Sequence, residues 1–350
     1  MKYKDNPFSL DFGAKPELYI PRVEEENKIY RSFLSDNPST HLYLLIGARG
    51  MGKTALMTAL ADKIRNEDNW IHIDLDSEDN TMQDFLFQLE DKTKIKLPKV
   101  KFSVNLKAVS LDVNWEEKAG SIRLEIDKLL NVLARNNQRL LITIDEAVNS
   151  TQMREFASYY QHCIREKYPV FVLMTGLFKN IRALQNNRSL TFLRRATKIE
   201  ITPLSIGRVS LEFEKILNIS HEEAIKLAKL TGGYSYAFQM LGHLMFDADA
   251  KKLDDDIFRD YKYTLYENSY EKIWEELSDN ERKVVEIVAS SDDEDISVSD
   301  IKKKLEMDNN NFSTYRDTLI KSGVVLNTSY GNLGLCLPLF KDFVKEYYLF

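Results

Sequence analysis

The sequence predicts an α/β protein: a parallel five-stranded sheet sandwiched by helices, a small helical region after it, and a C-terminal segment that mixes helices with a short ribbon. Three observations carry this. Between Leu42 and Ser205 short apolar runs alternate with stretches of helical periodicity, the order of βα units in a parallel sheet. After Ser205 the strand signals stop and helical periodicity continues to about Lys272. A glycine-rich turn, GARGMGKT from Gly47 to Thr54, joins the first apolar run to the first of these helices.

The five apolar runs are LYLLIG (42–47), WIHIDLD (70–76), RLLITIDEA (139–147), VFVLMTG (170–176) and TKIEITPLS (197–205), each read as a buried strand. Between them TALMTALADKIRN and MQDFLFQLEDK place apolar residues at helical spacing. One segment breaks the alternation. In KVKFSVNLKAVSLDVNWEE, Val100, Phe102, Val104 and Leu106 alternate with polar residues, and Leu111 and Val113 follow. This predicts an inserted β-hairpin near 98–114, more plainly a solvated ribbon than a functional loop, ahead of a helix over 116–136.

The chain therefore divides into 1–205, a helical domain over 206–272, and a remainder over 273–350. That remainder opens with a capped helix, LSDNERKVVEIVA, and an acidic linker, SSDDEDIS. VSDIKKKLEM, NNNFSTYRDTLIKSGVV and two short apolar runs around SYGN complete it. Three helices and a ribbon in this order match a winged helix-turn-helix.

Composition narrows the function. The 350 residues are 43% hydrophobic and 29% charged, with a formal net charge of −6, which argues against a surface that coats nucleic acid as a whole. A local basic face remains compatible with phosphate binding. The N-terminus MKYKDNPFSL has no apolar core of signal length, and no window approaches a membrane span, so a cytoplasmic protein without a membrane partner is expected. Cys163 and Cys336 are far apart and read as buried free thiols. The five histidines never stand at ligand spacing, so no zinc is expected.

The turn matches G-x-x-x-x-G-K-[ST] as Gly47, Gly52, Lys53 and Thr54, with Gly50 as an extra glycine. Phosphate binding explains each position. Glycines let backbone N–H groups turn inward, Lys53 brings a point charge to the β/γ oxygens, and Thr54 offers a hydroxyl to Mg²⁺. Arg49 and Met51 complete the loop, and Ala55 follows as the helix begins. Farther on, LLITIDEA ends an apolar strand with Asp145 and Glu146. One carboxylate there can hold the Mg²⁺ shell while its neighbour polarises a water for attack on the γ-phosphate.

GARGMGKT together with LLITIDEA resembles the Walker A and B pair of P-loop ATPases of the AAA+/STAND type. The resemblance implies a P-loop NTPase fold, ATP and Mg²⁺ as ligands, and a further strand between the two motifs. It places Thr175, at the end of VFVLMTG, at the sensor-1 position, although a strand-end hydroxyl capping the next turn fits the same pattern. NPFSLDFGAKPELYIPRVEEE, TPLSIGR and TGGYSYAFQML extend the similarity to ATPases with the domain order of origin-recognition proteins. By that similarity the backbone around Tyr19, Ile20 and Arg22 lines an adenine pocket.

Departures from the pattern are specific. The lid reads Gly233-Tyr234-Ser235 without the family's proline, and residues 233–248 contain no arginine, so a sensor-2 arginine is absent. An arginine finger would come from LTFLRRATKIE, as Arg194 or Arg195, with Arg188 a turn or two earlier. In this class such a residue acts across a subunit boundary, which implies a homo-oligomer. Basic residues at a solvated helix end explain the same arginines.

For the C-terminal segment, duplex DNA and a protein partner stay equally open. DNA contacts would come from Asn310, Asn311, Ser313, Thr314, Tyr315 and Arg316, with the ribbon near Tyr330 on the backbone. Over 276–350, nine Lys and Arg face fourteen Asp and Glu, and KKK at 302–304 is the only basic run. The function expected is a slow, partner- or oligomer-stimulated switch ATPase that couples ATP or ADP occupancy to DNA or to a protein. A nucleotide-regulated DNA-binding protein and an interaction scaffold in a signalling or defence complex are the alternatives.

Overall fold

The computed structural model describes residues 5–11, 13, 15–95, 115–305 and 309–349; the hairpin expected near 98–114 lies outside them. Strand β1 (Leu42–Ile46) shows how the sheet organises the core. Its alternate side chains point to opposite faces. Leu42, Leu44 and Ile46 join one apolar cluster and Tyr43 and Leu45 the other. Strands β2 (Trp70–Leu75), β3 (Arg139–Ile144), β4 (Val170–Gly176) and β5 (Thr197–Glu200) complete an all-parallel sheet in the order β2-β3-β4-β1-β5.

All five expected strands are present. The three central ones read as continuous apolar runs because helices cover both of their faces. The two edge strands do not, and β2 and β5 are only partly buried. The run over 197–205 is strand only to Glu200. Beyond it one ladder bond, from Ile201 N to Ile46 O at 2.7 Å, continues before the chain leaves for the helical region.

Helices α1 (Val23–Leu34), α2 (Lys53–Arg65), α3 (Thr81–Thr93), α4 (Trp115–Arg135), α5 (Thr151–Arg165) and α6 (Phe178–Gln185) flank the sheet, followed by a 3₁₀ segment Arg188–Arg195. In α2, Leu56, Leu60 and Ile64 recur every fourth residue and are fully buried, each contributing about 2 kcal/mol of burial. That stripe holds the N-terminus of α2 at the carboxyl end of β1.

Helices α7 (Ile206–Leu217), α8 (His221–Thr231), α9 (Ser235–Asp247) and α10 (Asp255–Leu265) follow, then a π-turn Tyr266–Tyr270 and α11 (Glu271–Glu276). Next come α12 (Asp279–Ala289), β6 (Asp295–Ser297), α13 (Val298–Leu305), α14 (Asn309–Lys321), β7 (Val325–Asn327), β8 (Asn332–Leu335) and α15 (Phe340–Tyr348). α12 starts with a Ser278/Glu281 capping box, as LSDNERK implies.

Two elements of this region differ from expectation. The acidic linker contains a strand, β6, which pairs antiparallel with β8 and makes a three-stranded sheet in the order β6-β8-β7. Three residues among aspartates carry too short a pattern to show this locally. The chain also ends in α15, whose Phe340, Phe343 and Val344 are fully buried. Cys163 is buried as expected, but Cys336 is only partly so; both are free thiols. No helix among the described residues is long and apolar enough to cross a membrane.

Candidate functional site

Parallel register brings three strand ends to one level. Ile144 pairs with Met174, so Asp145 leaves β3 beside Thr175 of β4, and Ile46 pairs with Gly176, so Gly47 leaves β1 just past the end of β4. The carboxyl edge of a parallel sheet is where such folds bind ligands. The glycine-rich turn wraps into α2 there, with Gly50 and Gly52 at φ +74° and +85°, conformations glycine adopts without strain.

Lys53, 8% exposed, donates from Nζ to the carbonyl oxygens of Gly47 at 3.1 Å and Ala48 at 2.9 Å. Burial lowers its pKa to about 8, against the opposing pull of the Asp145 and Glu146 carboxylates. Thr54 Oγ1 donates to Asp145 Oδ2 at 2.9 Å. Thr175 Oγ1 donates to the other carboxylate oxygen of Asp145 and accepts from Glu146 N at 3.0 Å. Asp145 is thus held between two threonine hydroxyls.

Glu146 takes a left-handed backbone, φ +47°, a cost that non-glycine residues bear at special sites. Its side chain is 68% exposed and lies 4.0 Å from Arg49 Nη1, which also approaches Glu276 Oε1 at 3.5 Å. Partial burial holds Glu276 above the ordinary carboxylate range, although Arg49 and Lys53 pull it down.

A cavity of about 610 Å³ opens over the turn. Arg49, Gly50, Gly52, Lys53, Thr54 and Ala55 form one wall, and Asp145 and Glu146 stand at its end. Tyr19, Ile20, Arg22, Leu204 and Phe238 also line it. Gly47 and Met51 do not line it, but their carbonyls are engaged by neighbouring side chains. Thr175 is fully buried behind Asp145. Arg194 and Arg195 lie outside the cavity; Arg194 bonds its own chain at Gln185 O and Asn186 Oδ1, while Arg195 is exposed.

Sequence reasoning missed the roof of the site. Three successive carbonyls of the turn are taken by the start of α9: Tyr234 OH donates to Arg49 O at 2.9 Å, Tyr236 N to Gly50 O at 3.0 Å, and Ser235 Oγ to Met51 O at 3.0 Å. Arg22 adds a bond from Nη2 to Met51 O at 2.9 Å and another from Nη1 to Thr202 O at 2.7 Å. The motif GGYSY carried the only signal, as a lid segment lacking its proline.

The N-terminal strap is fixed to the same helix. Gln239 accepts from Ser9 N at 3.0 Å and donates to Leu18 O at 2.8 Å. Phe8 fills the notch left by Gly242, where a Cβ would fall 2.1 Å from its ring.

The donor set fits the ligands expected. The turn offers a buried ammonium for phosphate, and the Thr54 hydroxyl with the Asp145 carboxylate offers the hard oxygens that suit Mg²⁺.

Residues 39–193 match the family model described as AAA domain, and residues 267–344 match one described as Domain of unknown function (DUF8462). No curated protein matches the chain. Among solved structures, the Walker-type ATPase of Pyrococcus abyssi aligns with a TM-score of 0.66 at 16% identity, covering 97% of this chain and 99% of that one. The Aeropyrum pernix ORC2 protein in ADPNP–ADP complexes aligns with a TM-score of 0.56 at 13% identity, covering 96% and 97%. Its ADP form aligns at 0.50 and 14% identity, over 94% and 96%. The chain thus shares the P-loop fold of these Walker-type and ORC2 proteins, and the AAA domain model matches its residues 39–193.

Proposed function

With that architecture as the premise, we propose that the protein binds and hydrolyses ATP as a switch whose nucleotide state is passed to a partner. One observation carries the reading: Lys53, Thr54, Asp145 and Glu146, drawn from two distant motifs, line a single cavity of about 610 Å³. Lys53 and the turn amides would hold phosphate oxygens, and Thr54 with Asp145 would hold Mg²⁺. The ion supplies neutralisation of phosphate charge. Glu146, exposed to the cavity, would accept the proton of the attacking water. Tyr19, Ile20, Leu204 and Phe238 offer an apolar lining suited to a base. The nucleotide complexes named for the Aeropyrum protein support this choice of ligand. ATP binding that survives Lys53→Ala unchanged would refute it.

The partner reading rests on the C-terminal region, which we read as a winged helix. Its element order supports this, with α13 and α14 as the helix pair and β7–β8 as the wing. Asn311, Ser313 and Thr314 on α14 and Tyr330 at the wing tip are exposed, as duplex binding requires. The other half of α14 is engaged with the ATPase core: Arg182 donates to Thr318 Oγ1 at 3.4 Å, and Lys321 lies 5.3 Å from the Phe178 ring centre. Tyr315 accepts from Asn280 and Arg316 donates to Asn327. A protein partner is the second reading, favoured by the acidic excess. Duplex DNA titrated at low salt, with ATP, with ADP and without nucleotide, separates them.

A further inference from the structure

Four cations line the nucleotide cavity, and three of them are engaged. Arg22 is spent on carbonyl oxygens, Lys53 on Gly47 and Ala48, and Arg49 on Glu276. The fourth, Lys272, is exposed and has no hydrogen-bond or ion-pair partner among the described residues. It comes from neither phosphate-site motif but from α11, at the end of the helical region.

The orientation of α11 explains why Lys272 reaches the site. Lys272 and Glu276 stand four residues apart and share a helix face. Glu276 meets Arg49 of the phosphate turn at 3.5 Å, while Ile273 and Trp274 are buried. The π-turn before α11 is itself tied to the phosphate turn, because Ser269 Oγ lies 2.6 Å from the Tyr234 hydroxyl that donates to Arg49 O. Such turns recur at functional sites. An unpaired ammonium on the wall of this cavity gains most from a polyanion.

We propose that Lys272 is a phosphate-binding residue for the triphosphate end of a nucleoside triphosphate, supplied by the helix that leads directly into the C-terminal region. The proposal rests on the nucleotide reading of the same cavity. Its consequence is that a triphosphate binds α11 and the phosphate turn at once, whereas a diphosphate leaves α11 the less engaged.

The test is titration of the full chain with fluorescent ATP and ADP analogues, using wild type, Lys272→Ala, Lys272→Arg and Lys53→Ala. Loss of one charge-assisted contact should weaken ATP about tenfold or more in Lys272→Ala, with a smaller change for ADP. Lys272→Arg keeps the charge and should stay within about threefold of wild type for ATP. Unchanged ATP affinity in Lys272→Ala, or equal losses for ATP and ADP, would overturn the proposal while leaving nucleotide binding intact. A wild type that binds neither nucleotide would overturn the underlying reading and this one with it. Thermal melting of Lys272→Ala, an exposed position, should match wild type.

Discussion

The hydroxyl of Tyr234 donates to the carbonyl oxygen of Arg49 at 2.9 Å, and Gly50, the next residue of the phosphate turn, has no room for a side chain beneath it: a Cβ there would lie 2.2 Å from that hydroxyl. The turn and the first residues of α9 are therefore one packed unit. Tyr234→Phe removes two hydrogen bonds, to Arg49 O and to Ser269 Oγ, and should cost about 2 kcal/mol, seen as a melting temperature lower by about 4 °C. Gly50→Ala combines φ +74° with the collision and should abolish ATP binding. Wild-type affinity in that variant would show the packing to be looser than this.

Glu146→Gln keeps the shape and the left-handed backbone but removes the proton acceptor. Hydrolysis should fall by about 10²–10⁴-fold while ATP binding persists, measured as phosphate release beside equilibrium binding. Equal losses in both would assign Glu146 to binding instead.

Thr175 has two duties in the structure, accepting from Glu146 N and donating to Asp145. Thr175→Val leaves a buried N–H unpaired and should destabilise the fold by about 1–3 kcal/mol besides lowering hydrolysis. Thr175→Ser retains both bonds and should restore both properties in melting and rate assays.

Lys53 makes nucleotide affinity depend on pH in a definite sense. Its pKa without ligand is about 8, lowered by burial from 10.5, and phosphate charge favours the ammonium form. ATP affinity should therefore fall as pH rises above 8, approaching tenfold per unit, with proton uptake on binding. A charged lysine with a depressed pKa costs the folded state. That cost is fully present below pH 8 and is relieved as pH rises toward 10.5, so ligand-free stability should gain relative to Lys53→Met over this window. Calorimetry from pH 7 to 10 checks both signs; a flat affinity would contradict the assignment.

Arg194 and Arg195 are distinguished by their partners. Arg194 is bonded within its chain, and Arg195 is exposed and has none among the described residues. If hydrolysis is completed across subunits, Arg195→Ala should be the inactive variant, and mixing it with Lys53→Ala should restore hydrolysis. Activity in Arg195→Ala at all concentrations would remove that role.

Local pattern alone located the five strands, most of the helices, and Lys53, Thr54, Asp145 and Glu146, which the structure brings to one cavity. The reason is that each is set by neighbours in the chain: continuous apolar runs report burial on both sheet faces, GARGMGKT encodes a turn only glycines can make, and Asp145 and Glu146 end a strand whose direction the βα order dictates. The tertiary structure decided what depends on residues far apart. Pairing of β6 with β8 gives a strand to three residues among aspartates, and edge position strips β2 and β5 of full burial. Tyr234, Ser235 and Tyr236 become the roof of the phosphate turn because α9 starts against its carbonyls. Lys272 reaches the cavity from α11, which follows the π-turn, a relation between side chains more than two hundred positions apart that no local period encodes.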